Sequence, residues 1–481
     1  MFTSLLTAGQ VRQIHDTSLA ILERVGVEVP HDDMLSRFAD SGARVDRAAK
    51  RVRIPADLVV RLVKQAGKEF TIYGRNIERT ARFGQGTRNY NSIAGEAYWV
   101  EEVGQNRRFA SLADVATAAR FADALPFINV AGAMADPHEI PVGFRCVEVL
   151  ATLLRHTDKP VHNWFHDRRS ARFLVELMIA LRGDAARAAQ YTVCYTFLEP
   201  ISPLRFPFNG IDLLYETSRL NLPVPIGPMA QMGLSAPATV AGAMAQENAE
   251  ILAGVCITQL VRPGLPVCYG GICHAFDMAT TQLIFSGPEQ AIFGVAMTQM
   301  GKSYGFPVYV NVGLTDAKCP DAQAGLESGV TLMLAAAAGA DIFGHMGIAG
   351  VDQASSLDIL ALQDEVISYV ESCLRPLDLN RETLALDVVE AVGPGGSYLA
   401  TDHTVEHFRK ELWFPRLCDR QYYQRWLDDG ATNAQARAKA RKDEILRTSH
   451  PAPLPPDIDR AFTDIVSAAR RECIGARQGR P

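Results

Sequence analysis

The chain has 481 residues, 48% of them apolar and 21% charged, which excludes a disordered, collagen-like or coiled-coil polypeptide and is too much for one small core. Set against 54 acidic residues, 48 basic ones give a net charge of −6 without any long Lys/Arg run, so neither nucleic acid nor an anionic membrane is an expected partner. Nine cysteines lie mostly in apolar runs such as Val193-Cys194-Tyr195 and read as buried reduced thiols, hence a cytoplasmic location. The opening Met1-Phe2-Thr3-Ser4-Leu5-Leu6 lacks the basic start and apolar stretch of a signal peptide. The longest apolar stretch, residues 332–340, is half what a bilayer needs and reads as a packed helix.

In chain order, Thr7 is placed to cap a helix carrying Val11, Ile14, Leu19, Ile21, Leu22 and Val25 on its apolar positions, closed by Gly26. A second helix is predicted from Asp32-Asp33 to Gly42, and a third over 56–67 after Pro55. Two β-like runs follow at 69–73 and 80–83, so residues 1–87 are expected to form an α-rich cap. From residue 88 a repeating unit begins. Eight compact β-prone runs, at 89–93, 127–134, 160–165, 191–198, 224–229, 266–271, 307–313 and 341–347, alternate with helical patterns. The helices are predicted at 112–124, 143–155, 169–181, 212–218, 237–261, 288–304, 322–338 and about 360–373. Runs apolar on both faces suit parallel strands, and eight repeats predict a (β/α)8 TIM barrel over 88–375. Beyond it, residues 376–481 read as a helical extension with helices at 434–447 and 458–473, packed around the barrel or across a subunit contact in a homo-oligomer.

Barrel chemistry sits at the C-terminal ends of the strands. That rule selects Asn91, Ser92, Asp136, His138, His162, Asn163, Trp164, His166, Glu199, Ser202, Met229, Gln231, Tyr269, Cys273, His274, Asn311, Asp316, Lys318, His345 and Met346. For most of them solvated hydrogen bonding at a strand end is the bland reading. Aromatic residues crowd the same ends: Trp99, Trp164, Phe165, Tyr195, Phe197, Phe206, Phe208, Tyr269 and Phe276, a supply of π-faces able to hold a quaternary ammonium or simply to fill a core. The loop 313–323 gathers Asp316, Lys318, Asp321 and Gln323 directly after an apolar strand. Cys268, Cys273 and His274 lack a fourth ligand, so no metal is expected. Gly393-Pro394-Gly395-Gly396 lacks the strand and helix of a phosphate loop.

Three stretches, Gly227-Pro228-Met229-Ala230, Ser235-Ala236-Pro237-Ala238-Thr239-Val240-Ala241-Gly242 and Gln246-Glu247-Asn248-Ala249-Glu250, resemble the trimethylamine methyltransferase family. Pro263-Gly264-Leu265-Pro266-Val267-Cys268-Tyr269-Gly270, the segment from Asp316 to Gly325, and Asp402-His403-Thr404-Val405-Glu406-His407 are similar in the same order. The resemblance implies a (β/α)8 barrel that transfers a methyl group from a methylated amine to the Co(I) of a small, separate corrinoid protein. Founding members carry pyrrolysine, whereas this chain has Gly313-Leu314-Thr315 there, with Leu314 at the position itself. Members without pyrrolysine are betaine-type demethylases, which implies glycine betaine, proline betaine or carnitine as substrate. A quaternary nitrogen leaves as a neutral amine, so no proton need be delivered.

The roles this resemblance implies are aromatic faces of Trp164 and Tyr269 around the ammonium and Lys318 with His345 on the substrate carboxylate. Asp316, Asn311 and Asn91 would position substrate or the corrinoid face, with Leu314 beside them. There is no DxHxxG loop, so the cobalamin is expected to arrive on its partner and not to be tightly bound here. Two rivals stay open: a barrel lyase or aldolase on a small carboxylate with Lys318 as Schiff base, and a non-catalytic quaternary-amine binding protein.

Overall fold

The structure is a computed structural model describing residues 3–102, 104 and 106–475. Met1, Phe2 and residues 476–481, the extreme ends of the expected cap and extension, lie outside the described residues, as do Val103 and Gln105.

A parallel five-stranded sheet organises a mixed α/β fold, in the order Val224–Ile226, Val267–Gly271, Val308–Val310, Ile342–Met346, Asn89–Ser92. Every residue of these strands is buried. β-branched and aromatic side chains on both faces are what such a position requires. Backbone bonding continues past the last strand. Asn129 N–H donates to Tyr90 O (2.9 Å), the short strands Ala131–Gly132 and Val161–His162 pair in parallel, and Val161 N–H donates to Val193 O (2.9 Å). Thr196 and Leu198 donate in turn to Pro223 O and Pro225 O, both at 3.0 Å. The expected strand at 191–198 is irregular for a physical reason: Pro223 and Pro225 opposite it have no N–H to return.

Two hydrophobic layers flank these strands. The larger lies between strands and helices and takes Val308, Val310 and Phe343. A separate inner cluster takes the alternate residues Tyr309 and Ile342, with Val130, Tyr195 and Cys268. The inner cluster is completed by Phe70, Ile72, Ala81 and Phe83 of the hairpin Phe70–Tyr73/Thr80–Phe83. Phe83 meets Tyr195 edge-on at 6.2 Å, and Gly84 N–H donates to Asp341 Oδ1 at 3.0 Å, at the start of a strand. The hairpin therefore covers the end where the strands begin and leaves their C-terminal ends for chemistry.

The amino-terminal region is less purely helical than expected. Its helices Ala8–Arg24, Asp32–Asp40 and Ala56–Gln65 are joined by an antiparallel sheet of Val27–Glu28, Arg51–Arg53 and Arg44–Asp46. Strands of two or three residues are too short to print a period-two pattern in the sequence. Thr7 caps the first helix in a reciprocal pair with Gln10, and Gly26 follows it at φ +80°, where a Cβ would lie 2.3 Å from Val52 O.

Helices Leu112–Ala124 and Ala322–Ala338 match the expected spans to the residue. The one expected at 212–218 is broken into Phe208–Asp212, Leu214–Thr217 and a 3-10 turn. Two small sheets escaped the sequence reading: Tyr98–Val100 and Arg108–Phe109 with Ile348–Ala349 and Ala354–Ser356, and Gln231–Met232 with His274–Asp277 and Gln282–Ile284. Both grow from the loops after strands. In the extension, Ala434–Thr448 and Pro456–Gly475 pack on the helices of the central region, whereas the segment between 376 and 430 leaves Leu377, Leu379, Leu399 and Tyr422 exposed. Among the described residues no helix is long and apolar enough to cross a membrane. All nine cysteines are free; six are buried, Cys319 is half-buried, and Cys373 and Cys418 are exposed.

Candidate active site

Four aromatic rings meet above the inner core. Tyr309 projects from the middle of Val308–Val310, its neighbours Val308 and Val310 facing the helices. His345 comes from Ile342–Met346, Trp164 from the loop after Val161–His162, and Phe197 from the irregular segment opposite Pro225. Trp164 and Phe197 stand 6.3 Å apart at 86°, and Phe197 and Tyr309 5.7 Å apart at 78°. Tyr309 and His345 follow at 5.7 Å and 63°, and His345 returns to Trp164 at 6.4 Å and 70°. Each ring thus meets the next steeply, as adjoining walls of a box do. Tyr309 and His345 are buried, while Trp164 and Phe197 are half-buried and open to a cleft of about 610 Å³ with Glu199, Met229 and Gln231.

The backbone is shaped for this. A Cβ on Gly344 would lie 2.0 Å from the Tyr309 hydroxyl, so only glycine admits that ring. The pairing register shifts between Phe343 and Met346, and within that irregularity His345 takes φ +76°. A left-handed non-glycine residue costs of order 1 kcal/mol, strain of the kind that clusters at functional sites.

Behind the walls lies a buried polar layer. Asn91 Nδ2 donates to His162 Nδ1 at 2.9 Å and to Tyr195 OH at 3.2 Å. Burial pushes His162 down to about 3, and burial first, then the neighbouring His162 and His274, holds His345 well below the usual histidine range. Both rings are neutral at pH 7. His345 Nε2, Asn311 Oδ1 and Asn91 Oδ1 are buried with no hydrogen-bond partner among the described residues. Buried polar atoms are normally paired, so three orphans together mark a place built for something else.

Carboxyls stand at the rim. Burial, then the adjacent Asp352, lifts Glu96 to about 9, and the two carboxyls share a hydrogen bond; Asp352 itself is raised by burial to about 6. Glu199 is an exposed residue in the wall of the cleft, and desolvation of its carboxyl by the protein around it, then Asp352, raises it to about 7.

Of the residues singled out from sequence, Trp164 and His345 form walls of the box, and Asn91 and Asn311 belong to the polar layer, Asn311 also accepting Gln290 Nε2 on its carbonyl at 2.6 Å. Four others lie apart. Tyr269 is turned outward, its hydroxyl donating to Asn248 Oδ1 at 2.8 Å and its ring 6.1 Å from Tyr304. Leu314 is fully buried in the outer core. Asp316 is occupied as a staple, accepting the N–H groups of Phe285 and Ser286 at 3.1 and 3.2 Å. Lys318 is exposed, with Nζ on Asp316 O at 2.8 Å. Nothing there supplies the dry surroundings that an imine-forming lysine needs. Tyr309, Glu96 and Asp352 were missed, Tyr309 because it sits within a run, Val308-Tyr309-Val310, that is buried on both faces. The Gln246-Glu247-Asn248-Ala249-Glu250 motif is architectural: Glu247 accepts Ile272 N–H, Asn248 holds Tyr269 and Tyr304, and Glu250 accepts Ser202 and Leu204.

A family model described as trimethylamine methyltransferase (MTTB) matches residues 1–475. The chain is 31% identical over 471 residues to a glycine betaine methyltransferase of Desulfitobacterium hafniense (strain Y51), covering 98% of both chains. It is 26% identical over 464 residues to trimethylamine methyltransferase MttB of Desulfitobacterium hafniense (strain DSM 10664 / DCB-2), covering 96% of this chain and 93% of the relative. Among solved structures, the Methanosarcina barkeri monomethylamine methyltransferase (MtmB) aligns with 97% of this chain and 92% of its own at 8% identity, with a TM-score of 0.47.

Proposed function

Because the chain belongs to the trimethylamine methyltransferase family, a family of methyltransferases, we propose that it moves a methyl group from a quaternary amine to the Co(I) of a separate corrinoid protein. The substrate class is that of glycine betaine, proline betaine or carnitine. The observation that carries this reading is the box of Trp164, Phe197, Tyr309 and His345. Aromatic faces attract a permanent cation by about 2 kcal/mol once it is desolvated. Neutral His162 and His345 add no repulsion.

The chemistry asked of the protein is small. Breaking the C–N bond leaves the electron pair on nitrogen as a neutral tertiary amine, so no acid is needed, and the box holds no group charged to serve as one. The residues fix the nitrogen, direct one methyl toward the cleft and exclude water from it. The corrinoid supplies low-valent cobalt as nucleophile for that methyl carbon. Trp164, Phe197, Met229 and Gln231 around the cleft are the residues on which its face would rest. The orphaned atoms of the polar layer fit a small ligand, which agrees with a macrocycle held at the mouth by its own protein.

We read residues 88–375 as a closed (β/α)8 barrel between a cap, 1–87, and an extension, 376–481. Support comes from backbone hydrogen bonds that run from strand to strand through all eight segments and from an inner core separate from the outer one. Exposed leucines between 376 and 430 support a homo-oligomer, and nine free thiols support a cytoplasmic location.

The test mixes purified protein, Co(I) corrinoid protein and glycine betaine, proline betaine, carnitine or trimethylamine, and follows loss of Co(I) absorbance. A quaternary amine is expected to consume Co(I). Consumption with trimethylamine alone would overturn the reading.

A further inference from the structure

The box accounts for a cation, but not for the carboxyls above it. Gly95 O accepts the Trp164 indole N–H at 3.3 Å, which seats Glu96 at the rim of that wall. Glu96 is fixed there by its N–H on Met134 O (3.2 Å) and by Asp136 N–H on its own carbonyl (2.8 Å). Its carboxyl is hydrogen-bonded to Asp352. Glu199 stands two residues past Phe197 and lines the cleft with Phe197 and Trp164. Two adjoining walls are thus crowned by acids. Beneath them His345 Nε2, in a residue only 7% exposed, has no partner among the described residues, which marks the enclosed volume as a ligand's.

Among the described residues, no lysine or arginine lines the cleft. On the Glu96 side, the guanidinium of Arg145 is engaged by Asp136 and Ile140 O. Apart from the titratable His166, the one charged side chain in the described lining is therefore Glu199, amid neutral polar groups such as Asn209, Gln231 and Ser235.

Resting on the quaternary-amine reading above, we propose that Glu199, backed by the Glu96–Asp352 pair, is a counter-charge for the ammonium, and that the site binds a quaternary amine without a carboxylate more tightly than glycine betaine, which stays a substrate of lower affinity. Opposite charges nearby favour ionisation, so a cation in the box drives a proton off the rim. Affinity for it accordingly rises with pH through the range in which Glu199 ionises, about 7, and levels off above. The charged and titratable groups facing Glu199 are Asp352, Tyr309 and His166, with Glu96, Asp136 and Arg145 behind Asp352.

Calorimetric titration of the full chain with tetramethylammonium and with glycine betaine, at pH 6 and 8, separates the claims. Tetramethylammonium is expected to bind wild type more tightly than glycine betaine does, and about tenfold more tightly at pH 8 than at pH 6, one unit of linkage. E199Q should bind tetramethylammonium more weakly, lose that pH dependence and shift the ratio of the two dissociation constants toward glycine betaine. E199D, which keeps the charge, should restore the wild-type order. An unchanged ratio in E199Q, or a flat wild-type profile, would overturn the counter-charge while leaving the box intact. Failure of wild type to bind either compound would instead defeat the quaternary-amine reading itself.

Discussion

The box and the loop at 313–323 hold similar amounts of polar chemistry at the same end of the strands, yet the loop uses its polar groups on itself and the box does not. In the loop, Asp316 accepts two backbone N–H groups, Thr315 Oγ1 donates to Glu327 at 2.6 Å, Asp321 caps Ala322–Ala338 through Ala324 N–H, and Lys318 reaches only a carbonyl. Around the box, His345 Nε2, Asn311 Oδ1 and Asn91 Oδ1 have no partner among the described residues, although a buried orphan costs about 1–3 kcal/mol. Polar content therefore does not mark a site. Polar content left unsatisfied at a cost to stability does.

The sharpest way to break this contrast is to damage each region and ask which quantity moves. Asp316→Ala strips the acceptor from Phe285 and Ser286 N–H, a loss of about 3 kcal/mol for two charge-assisted bonds. The denaturant midpoint should fall while the KM for a quaternary amine stays within twofold. Should KM rise tenfold with stability unchanged, the loop belongs to the site. Phe197→Leu makes the complementary change, keeping apolar bulk in a half-buried wall while removing its π-face. Binding of tetramethylammonium should weaken about tenfold, or about 1.4 kcal/mol, with little change in unfolding. Equal binding in this variant would mean that the rings merely fill space.

The same contrast explains what the sequence could and could not disclose. Helices 112–124 and 322–338, capped at Ser111 and Asp321, were legible to the residue, and the buried runs stood out as apolar blocks between helical periods, except the first, where Asn89-Tyr90-Asn91-Ser92 is polar for a strand. Which way a side chain faces was not legible there. A strand apolar on both faces carries no alternation, so nothing in Val267-Cys268-Tyr269-Gly270 says that Tyr269 points to Asn248 and Cys268 inward. Trp164 and His345 were found because they lie just at strand ends, and Tyr309 was missed because it lies one turn of the pleat earlier. Glu96 and Asp352 meet only through tertiary structure, across 256 positions of chain if 96 is taken from 352. Whether Asp316 is free or occupied depends on Phe285 and Ser286, which no local pattern connects to it.

Lys318 gives the smallest expected effect and the cleanest reading. The family resemblance implied a role for it, with His345, on a substrate carboxylate. In the structure its side chain is exposed, its ammonium rests on the Asp316 carbonyl, and its stem lies over Gly350, 3.5 Å from where a Cβ would stand. Removing an exposed side chain of this kind alters stability by no more than about 0.5 kcal/mol. Lys318→Ala should therefore leave the unfolding midpoint, the KM and the rate of Co(I) consumption with glycine betaine all unchanged. The measurement also bears on the rim: with no cation from this loop reaching the cleft, Lys318→Ala should not alter the preference between glycine betaine and tetramethylammonium. A variant that lost glycine betaine but kept tetramethylammonium would show Lys318 swinging in to hold the tail, and the loop would then have to be counted with the box.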